Sequence, residues 1–377
     1  MQPNEVYLDN GATTRVDERV AEAAMEAMLV AWGNPSSAHK LGAEAARRVQ
    51  RARELVAAAL GAATTTEVTF TSGGTEANAL ALFGAAARAK HVVISGFEHP
   101  SIADAAKALA ERGVEVTTVA PGANGVVDAQ AFAAAVRPDT ALAACMWVQN
   151  EIGTVQPVDA IARAVKARAP RCHVHVDAVQ ALGKLGIDVA DAAYDSLAIS
   201  AHKIHGPKGV GALWLKKGAR LRPLVFGGGQ ERGLRPGTEG VPGIVALGLA
   251  CELAAAARAE AAPRMTAQRE RLWSAIEAAL PSARRNGEPA HTAPHILSVG
   301  FANVPAEPLL HALEGAGVYV SAGSACHAKD KKPSATLRAI GVPDDTGVIR
   351  LSLSRFTTDD EIARAADAVV ACVKSFS

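Results

Sequence analysis

The sequence predicts an α/β fold that combines a large, mainly parallel sheet domain with a smaller α+β domain. Strand-like and helix-period segments alternate through the first two-thirds of the chain, which is the pattern of a parallel sheet covered by helices. Near residue 255 this alternation gives way to long helices and more widely spaced strands. A chain of 377 residues with 49% hydrophobic content can bury one large core and a second, smaller one.

Short apolar runs bounded by turn residues predict the strands of the large domain. These runs are Val68 to Thr71, His91 to Ser95, Val114 to Val119, Leu142 to Val148, Val174 to Asp177, Ser196 to Ser200 and Val210 to Leu215. Apolar helices from Ala103, Ala129 and Val158 lie between several of them, and a helix from Ser37 to Leu60 precedes them. We therefore expect a large domain of about seven strands.

The later part of the chain predicts the smaller domain. Its predicted elements are one or two long helices over Val241 to Ala279, interrupted near Pro263, strands at Ile296 to Phe301 and Val348 to Ser352, and helices at Pro308 to Gly315 and Thr358 to Val373. We predict a large domain over residues 14–255 and a small domain formed by residues 1–13 and 256–377.

Composition argues against several classes of function. Lys and Arg number 39 against 38 acidic residues, so no single-sign field favours nucleic acid or an anionic membrane. The N-terminus lacks the pattern of a secretion signal, and no apolar run reaches the length of a membrane span. The five cysteines include no close pair, which argues against disulfides and a thiolate zinc site. We expect a cytoplasmic protein that binds neither nucleic acid nor membrane.

Lys203 and Asp177 are the central candidates for chemistry. Lys203 follows an apolar strand and precedes a Gly-rich turn, a position suited to Schiff-base chemistry. Asp177 ends the preceding strand, where open α/β sheets place their ligands, and an Asp there can pair with the pyridinium nitrogen of pyridoxal phosphate (PLP). An alternative is a metal site formed by His173, His175 and Asp177, which alternation places on one strand face.

Other polar groups follow neighbouring strands. Gly74 and Thr75 lie in a Gly-rich turn before an apolar helix, whose N-terminus can bind a phosphate. His99 follows another strand and can stack on a pyridine ring or exchange protons near neutral pH. Asn150 ends a further strand, and Gln180 lies three residues after Asp177. The sequence thus predicts one ligand site at the carboxyl edge of the sheet.

Cys326 differs from the other cysteines. It lies in a run of small residues that cannot anchor a core, and His327 and three lysines follow it. Nearby positive charge favours the thiolate, so Cys326 has the character of a nucleophile.

Together these segments resemble the cysteine desulfurases of the NifS and IscS group, over nearly the whole chain. The resemblance also includes the segments Tyr7 to Thr14, Gly33 to Ser37, Gly227 to Gly233, Arg235 to Thr238 and Arg350 to Phe356. It implies the type I fold of PLP-dependent transferases and a homodimer with each site built at the interface. It also implies a small domain that carries the catalytic cysteine loop.

The resemblance implies a role for each site residue. Lys203 would hold PLP covalently, Asp177 would pair with its ring nitrogen, and His99 would stack on the ring. The other implied contacts are Gly74, Thr75, Ser200, His202 and the partner's Thr238 for the phosphate, Asn150 and Gln180 for the ring side, and Asn34, Asn150 and Arg350 for the substrate. Arg355 is a second candidate for the substrate carboxylate, which a guanidinium grips bidentately.

The implied reaction converts L-cysteine to L-alanine. The Cys326 thiolate attacks the substrate sulfur and becomes a persulfide, which passes its sulfur to a protein acceptor such as an iron-sulfur scaffold or a sulfur carrier. The sequence leaves open a selenocysteine lyase or another PLP enzyme of the same fold.

Overall fold

The computed structural model describes residues 5–87, 89–322 and 334–376. Its strands are β1 (Val6–Tyr7), β2 (Val68–Thr71), β3 (His91–Ser95), β4 (Glu115–Val119), β5 (Thr140–Met146), β6 (His173–Asp177), β7 (Ser196–Ser200), β8 (Gly211–Leu215), β9 (Arg284–Arg285), β10 (Ile296–Ala302), β11 (Val318–Tyr319), β12 (Ser321–Ala322) and β13 (Thr346–Ser352). Its helices are α1 (Glu18–Val30), α2 (Lys40–Leu60), α3 (Gly74–Ala85), α4 (Pro100–Glu111), α5 (Ala129–Ala135), α6 (Val158–Arg168), α7 (Val241–Ala279), α8 (Ala306–Gly315), α9 (Ala335–Ala339) and α10 (Asp359–Lys374).

The predicted large sheet is confirmed, with seven strands in the order β2-β8-β7-β6-β5-β3-β4. Strand β8 runs antiparallel to both of its neighbours, whereas the pairs from β7 across to β4 are all parallel. The carboxyl ends of the parallel strands therefore meet at one edge. Strands β3, β6 and β7 are buried at every residue, because helices cover both faces of this part of the sheet.

A second, antiparallel sheet has the order β12-β13-β10-β9. Strands β10 and β13 pair along their full lengths, and β1 pairs with β11 in a separate parallel ladder. Leu297, Ile349 and Leu351 of this sheet share one core with the apolar face of α10. The large sheet belongs to a different core, which includes Val176 and Ile199.

Helix α7 passes from one core to the other. Its residues up to Ala254 pack in the core of the large sheet, and those from Ala261 onward pack in the core of the smaller sheet. The expected interruption near Pro263 is wrong, because α7 is one continuous helix. Pro263 removes the hydrogen-bond donor to the carbonyl of Ala259, and both residues are exposed, so water can reach this turn of the helix. The division at residue 255 stays a prediction.

Helix α7 is also long and apolar enough to cross a membrane by length and composition alone. The helix packs against α1, α2 and α10, and its apolar residues supply both cores. Core helices commonly pass the same test, so this property of α7 carries little weight.

Candidate active site

A cavity of about 1370 Å³ lies at the carboxyl edge of the large sheet, and Arg350 of the smaller sheet also lines it. The predicted site residues that line it are Gly74, Thr75, His99, Asn150, Asp177, Gln180, Ser200, His202, Lys203 and Arg350. They come from both sheets and from segments far apart in the sequence. The structure thus brings most of the sequence-predicted residues into one pocket.

Lys203 lies just after β7, in a single 3-10 turn over Ala201–Lys203. Its Nζ donates hydrogen bonds to the backbone carbonyls of Gly11 and Ala12, each at 2.6 Å. The neighbouring His202 is 3.2 Å through Nδ1 from the hydroxyl of Thr13. The N-terminal segment is therefore held against the lysine, and Lys203 faces the cavity.

A second lysine, Lys184, contacts the backbone of Lys203. The sequence patterns did not predict it as a site residue. Its Nζ donates to the backbone carbonyl of Lys203 at 2.5 Å. Burial, and after it the positive charges of Lys203 and Arg355, lowers the pKa of Lys184 to about 7. The sequence signal for Lys184 is weak because nothing near it in the chain suggests contact with Lys203.

Asp177 is buried at the end of β6. Its Oδ1 accepts the backbone N–H of Val179 at 2.9 Å, and its Oδ2 accepts the amide of Asn78 at 2.7 Å. Both donors orient the carboxylate at the strand end, where it lines the cavity. Asp177 is thus held in place before any ligand binds.

The hydrogen bonds around His173 and His175 leave no basis for the alternative metal site. Ser196 Oγ is 2.7 Å from His173 Nε2 and 2.8 Å from His175 Nδ1, and His175 Nε2 is 2.9 Å from Asn78 Oδ1. Burial lowers the pKa of His173 to about 4 and that of His175 to about 3, so both rings are neutral. No group of three metal-ligating side chains occurs among the residues that the structure describes.

His99 forms the N-cap of α4. Its Nδ1 accepts the backbone N–H of Ser101 at 3.1 Å and lies 2.8 Å from the Ser101 hydroxyl. Burial is the largest influence on His99 and lowers its pKa, with a further contribution from the charge of Lys203. The preceding residue, Glu98, also lines the cavity. Burial raises the pKa of Glu98 to about 8.

The Gly-rich turn lies at the N-terminus of α3, next to a second cavity of about 390 Å³. Gly74, Thr75, Ser200, His202 and Lys208 line this cavity. A Cβ on Gly74 would lie 2.6 Å from Val179 Cγ2, so a larger residue at this position would force the Val179 side chain to move. Backbone N–H groups, hydroxyls and a nearby lysine make this cavity suitable for an anion.

Arg350 belongs to β13 of the smaller sheet and is only 2% exposed. One guanidinium nitrogen donates to the carbonyl of Asn150 at 2.8 Å. The other donates to Asp9 Oδ1 at 2.8 Å and to Ser321 Oγ at 3.1 Å. The buried Nε has no partner among the described residues. Arg350 therefore brings a fixed positive group into the cavity from the smaller sheet.

Gln180 connects the cavity wall to the N-terminal segment. Its amide nitrogen donates to the carbonyl of Gly11 at 2.8 Å, and its oxygen is 3.2 Å from His295 Nε2. The Gly11 carbonyl is thus shared between Gln180 and Lys203. Sequence reasoning identified Gln180 but not this contact, because Gly11 lies 169 residues away.

Among the described residues, three that the sequence predicted for the site do not line this cavity. Asn34 and Thr238 are exposed and are absent from its wall. Arg355 pairs instead with Asp17 at 2.6 Å and lines a separate, small cavity beside Lys184. Cys326 and the lysines that follow it lie outside the described residues.

The residues present fit PLP in three separate respects. The anion cavity at the start of α3 suits a phosphate, Lys203 supplies an amine for an aldehyde, and Asp177 supplies an oriented carboxylate for a ring nitrogen. The glycine at residue 74 keeps the helix N-terminus close to the cavity. No metal is required for this arrangement.

Comparison with known proteins also supports a PLP-dependent enzyme. The aminotransferase class-V family model matches residues 6–365. A cysteine desulfurase of Trichormus azollae is 42% identical over 364 residues, covering 95% of this chain and 90% of the relative. A solved NifS-like protein has a TM-score of 0.92 and 37% identity, covering 99% of this chain and 100% of that one. A structure described as SspA in complex with cysteine has a TM-score of 0.82 and 33% identity, covering 94% of this chain and 100% of that one.

The chain belongs to the aminotransferase class-V family. Its fold is that of the PLP-dependent NifS-like proteins, and PLP is the cofactor. Within the family, its curated relatives at about 40% identity are cysteine desulfurases.

Proposed function

We propose that this chain is a PLP-dependent cysteine desulfurase that converts L-cysteine to L-alanine and moves the sulfur first to Cys326 and then to a protein acceptor. The observation that carries this proposal is the presence of Lys203, Asp177 and Arg350 in one cavity. The desulfurases among its relatives support it along nearly the whole chain.

Lys203 and Asp177 would hold the cofactor at its two reactive positions. PLP supplies an aldehyde and an electron-accepting ring when bound. Lys203 Nζ would hold the aldehyde carbon and afterwards exchange a proton within reach of the substrate. Asp177 would keep the ring nitrogen protonated, since its carboxylate is already oriented by Val179 and Asn78. The phosphate would bind at the start of α3, in the cavity lined by Gly74, Thr75, Ser200 and His202.

Arg350 would bind the carboxylate of the substrate. A guanidinium can grip a carboxylate with two parallel N–H donors, and the buried Nε of Arg350 still lacks a partner among the described residues. His99 lines the same cavity. A substrate between them would have its carboxylate on the small-sheet side and its reacting carbon near Lys203.

Cys326 would complete the reaction. The Cys326 thiolate attacks the sulfur of the substrate, an S–S bond forms, and the C–S bond of cysteine breaks. The carbon that loses sulfur gains a proton, so the products are a persulfide on Cys326 and L-alanine. The electron pair of the broken C–S bond stays with the carbon, so the carbon is reduced as the sulfur is oxidised and no external oxidant is needed.

The proposal is tested by measuring the products. Purified protein loaded with PLP and given L-cysteine should form L-alanine in a 1:1 ratio with sulfur recovered as persulfide or, with a thiol reductant, as sulfide. Cys326→Ala should keep the yellow colour of the bound cofactor and lose persulfide formation. Release of sulfide by Cys326→Ala at the parent rate would contradict the role of Cys326.

A selenocysteine lyase is the second candidate, because none of the described residues that line the cavity distinguishes sulfur from selenium. Alanine yields from L-cysteine and L-selenocysteine should be compared under identical conditions. A yield confined to selenocysteine would replace the proposed substrate while leaving the cofactor site unchanged.

We also propose that the protein is a homodimer. Large apolar side chains lie exposed on α1, just after it and on the segment that ends at Phe226, with Met28 58%, Trp32 68% and Phe226 83% exposed. Apolar groups this exposed are typical of an interface. Thr238, which does not line the cavity of its own chain, would then be free to reach the partner's phosphate site. Sedimentation velocity should show a dimer, and Phe226→Asp should weaken it. A monomeric parent would contradict this proposal.

A further inference from the structure

A continuous chain of hydrogen bonds joins Asp177 to His99 through two residues that have no direct place in the proposed reaction. Asn78 Nδ2 is 2.7 Å from Asp177 Oδ2 and 2.8 Å from Ser101 Oγ. Ser101 Oγ is in turn 2.8 Å from His99 Nδ1. Asn78 is only 1% exposed, so water does not compete for its amide.

The donors and acceptors of this chain have one consistent direction. The carboxylate of Asp177 only accepts, so Asn78 presents its NH₂ group to it. The second N–H of that group then donates to Ser101 Oγ. Ser101 uses its own hydroxyl hydrogen toward His99 Nδ1. The same ring nitrogen also accepts the backbone N–H of Ser101.

The other side of Asn78 supports this direction independently. With its NH₂ group toward Asp177, Asn78 presents Oδ1 to His175 Nε2 at 2.9 Å, so that nitrogen carries the hydrogen. His175 Nδ1 is then free to accept from Ser196 Oγ. His173 Nε2 donates to the same hydroxyl oxygen. Every member of the network is satisfied in this arrangement.

We infer that Asn78 and Ser101 are positioning residues that hold His99 as a neutral imidazole with its hydrogen on Nε2. Two donors point at Nδ1, so a hydrogen on that nitrogen would face the N–H of Ser101 and break the N-cap of α4. His99 therefore presents a hydrogen-bond donor to the cavity rather than a base. The tautomer of His99 does not depend on the proposed function. The role of His99 as a hydrogen-bond donor to the substrate does depend on it.

The electrostatic surroundings of His99 do not reverse this assignment. The charged groups that face its ring are Asp177, Asp104 and Lys203, and the buried Glu98 precedes it in the chain. Asp177 and Asp104 favour the imidazolium, whereas burial and Lys203 oppose it, and burial is the largest of these influences. The pKa of His99 is lowered as a result.

The direct test is ¹⁵N NMR of the imidazoles in the PLP-loaded protein without substrate. In the parent, His99 Nε2 should have the shift of a protonated nitrogen and Nδ1 that of an unprotonated one. Ser101→Ala removes one donor to Nδ1, so the pKa of His99 should rise by about half to one unit. Ser101→Thr keeps the hydroxyl and should restore the parent value.

Two further variants separate positioning from general damage to the fold. Thr117→Val removes a similar hydroxyl contact, that of Thr117 with His91 Nε2, and should change His91 without changing His99. Ser196→Ala breaks the far end of the network and should change His175, while Asn78 stays oriented by Asp177. A hydrogen on His99 Nδ1 in the parent would overturn the inference. So would an unchanged pKa of His99 in Ser101→Ala, or an equal rise in Ser196→Ala.

These outcomes are independent of turnover. A protein that failed to form alanine from cysteine would overturn the proposed function and leave the NMR result readable. A protein that formed alanine but carried the hydrogen on Nδ1 would overturn the inference alone.

Discussion

The two ends of the cavity are built in different ways. At one end, Asp177 is held by Asn78 and Val179, and all three belong to the large sheet and its flanking segments. At the other end, Arg350 is held by Asp9 from the N-terminal segment, by Ser321 from the smaller sheet and by the carbonyl of Asn150 from the large-sheet side. The Asp177 end therefore depends on one folding unit, whereas the Arg350 end depends on the packing of several.

This difference predicts that variants at the two ends affect different steps. A change at the Asp177 end should alter the chemistry of the cofactor with little effect on substrate binding. A change at the Arg350 end should weaken substrate binding and also loosen the contact between the two sheets. Variants at each end, and at the lysine between them, test this comparison.

The largest effect is expected for Lys203→Ala. This variant removes the proposed covalent anchor and two hydrogen bonds to Gly11 and Ala12, but none of the apolar core. Alanine formation should become undetectable, while the circular dichroism spectrum and the oligomeric state stay as in the parent. Lys217→Ala, on the surface, is the control and should keep full activity. Full activity of Lys203→Ala would reject the site.

Asp177→Asn should reduce kcat by about 10-fold to 100-fold, because a charge-assisted contact to the ring nitrogen of about 1.5–3 kcal/mol is lost. KM should change little, since the substrate carboxylate is bound at the other end. Steady-state kinetics with L-cysteine separates the two parameters. A change confined to KM would mean that Asp177 contributes to substrate binding and not to the chemistry of the cofactor.

Arg350→Ala should raise KM by a similar factor, because a guanidinium contact to the substrate carboxylate is lost. It should also lower Tm by a few degrees, since Asp9 and the Asn150 carbonyl lose their partner. Arg350→Lys should keep part of the binding, because it retains the charge without the bidentate geometry. An unchanged KM in Arg350→Ala would place the carboxylate elsewhere.

A further prediction concerns Lys184 and the pH dependence of stability. The folded protein holds the pKa of Lys184 at about 7, well below the ordinary value of 10.5, so the unfolded chain binds more protons between these values. The parent should therefore gain stability as pH rises from 7 toward 10. Lys184→Met lacks this titration, so its Tm relative to the parent should fall over the same range. A constant difference in Tm would mean that Lys184 keeps its ordinary pKa.

Much of the large sheet could be predicted because its strands are short apolar runs between turn residues. The predicted bounds of β2, β3 and β7 are those of the structure. Helix α1 was not predicted, since its apolar residues do not form one buried face: Val20 is buried, whereas Met28 and Leu29 are exposed. The two-residue strands β1, β9, β11 and β12 are too short to show a period.

The candidate site also contains features that the sequence predicts and features that it does not. Residues at strand ends, such as Asp177 and Lys203, could be predicted because parallel strands bring their carboxyl ends together. The contacts of Arg350 with Asp9 and of Asn78 with Asp177 could not, because they join residues 341 and 99 positions apart. Such contacts depend on how elements pack, which local patterns do not show.

The central claim is that Lys203 is the residue that holds PLP. Borohydride reduction of the yellow protein fixes the cofactor on the lysine that carries it, and peptide mass mapping then identifies that lysine. We predict modification at Lys203 and none at Lys107, which lines the same cavity, or at Lys184 and Lys208, which line the neighbouring cavities. Modification at any of those three lysines, or at none of the four, would contradict the account.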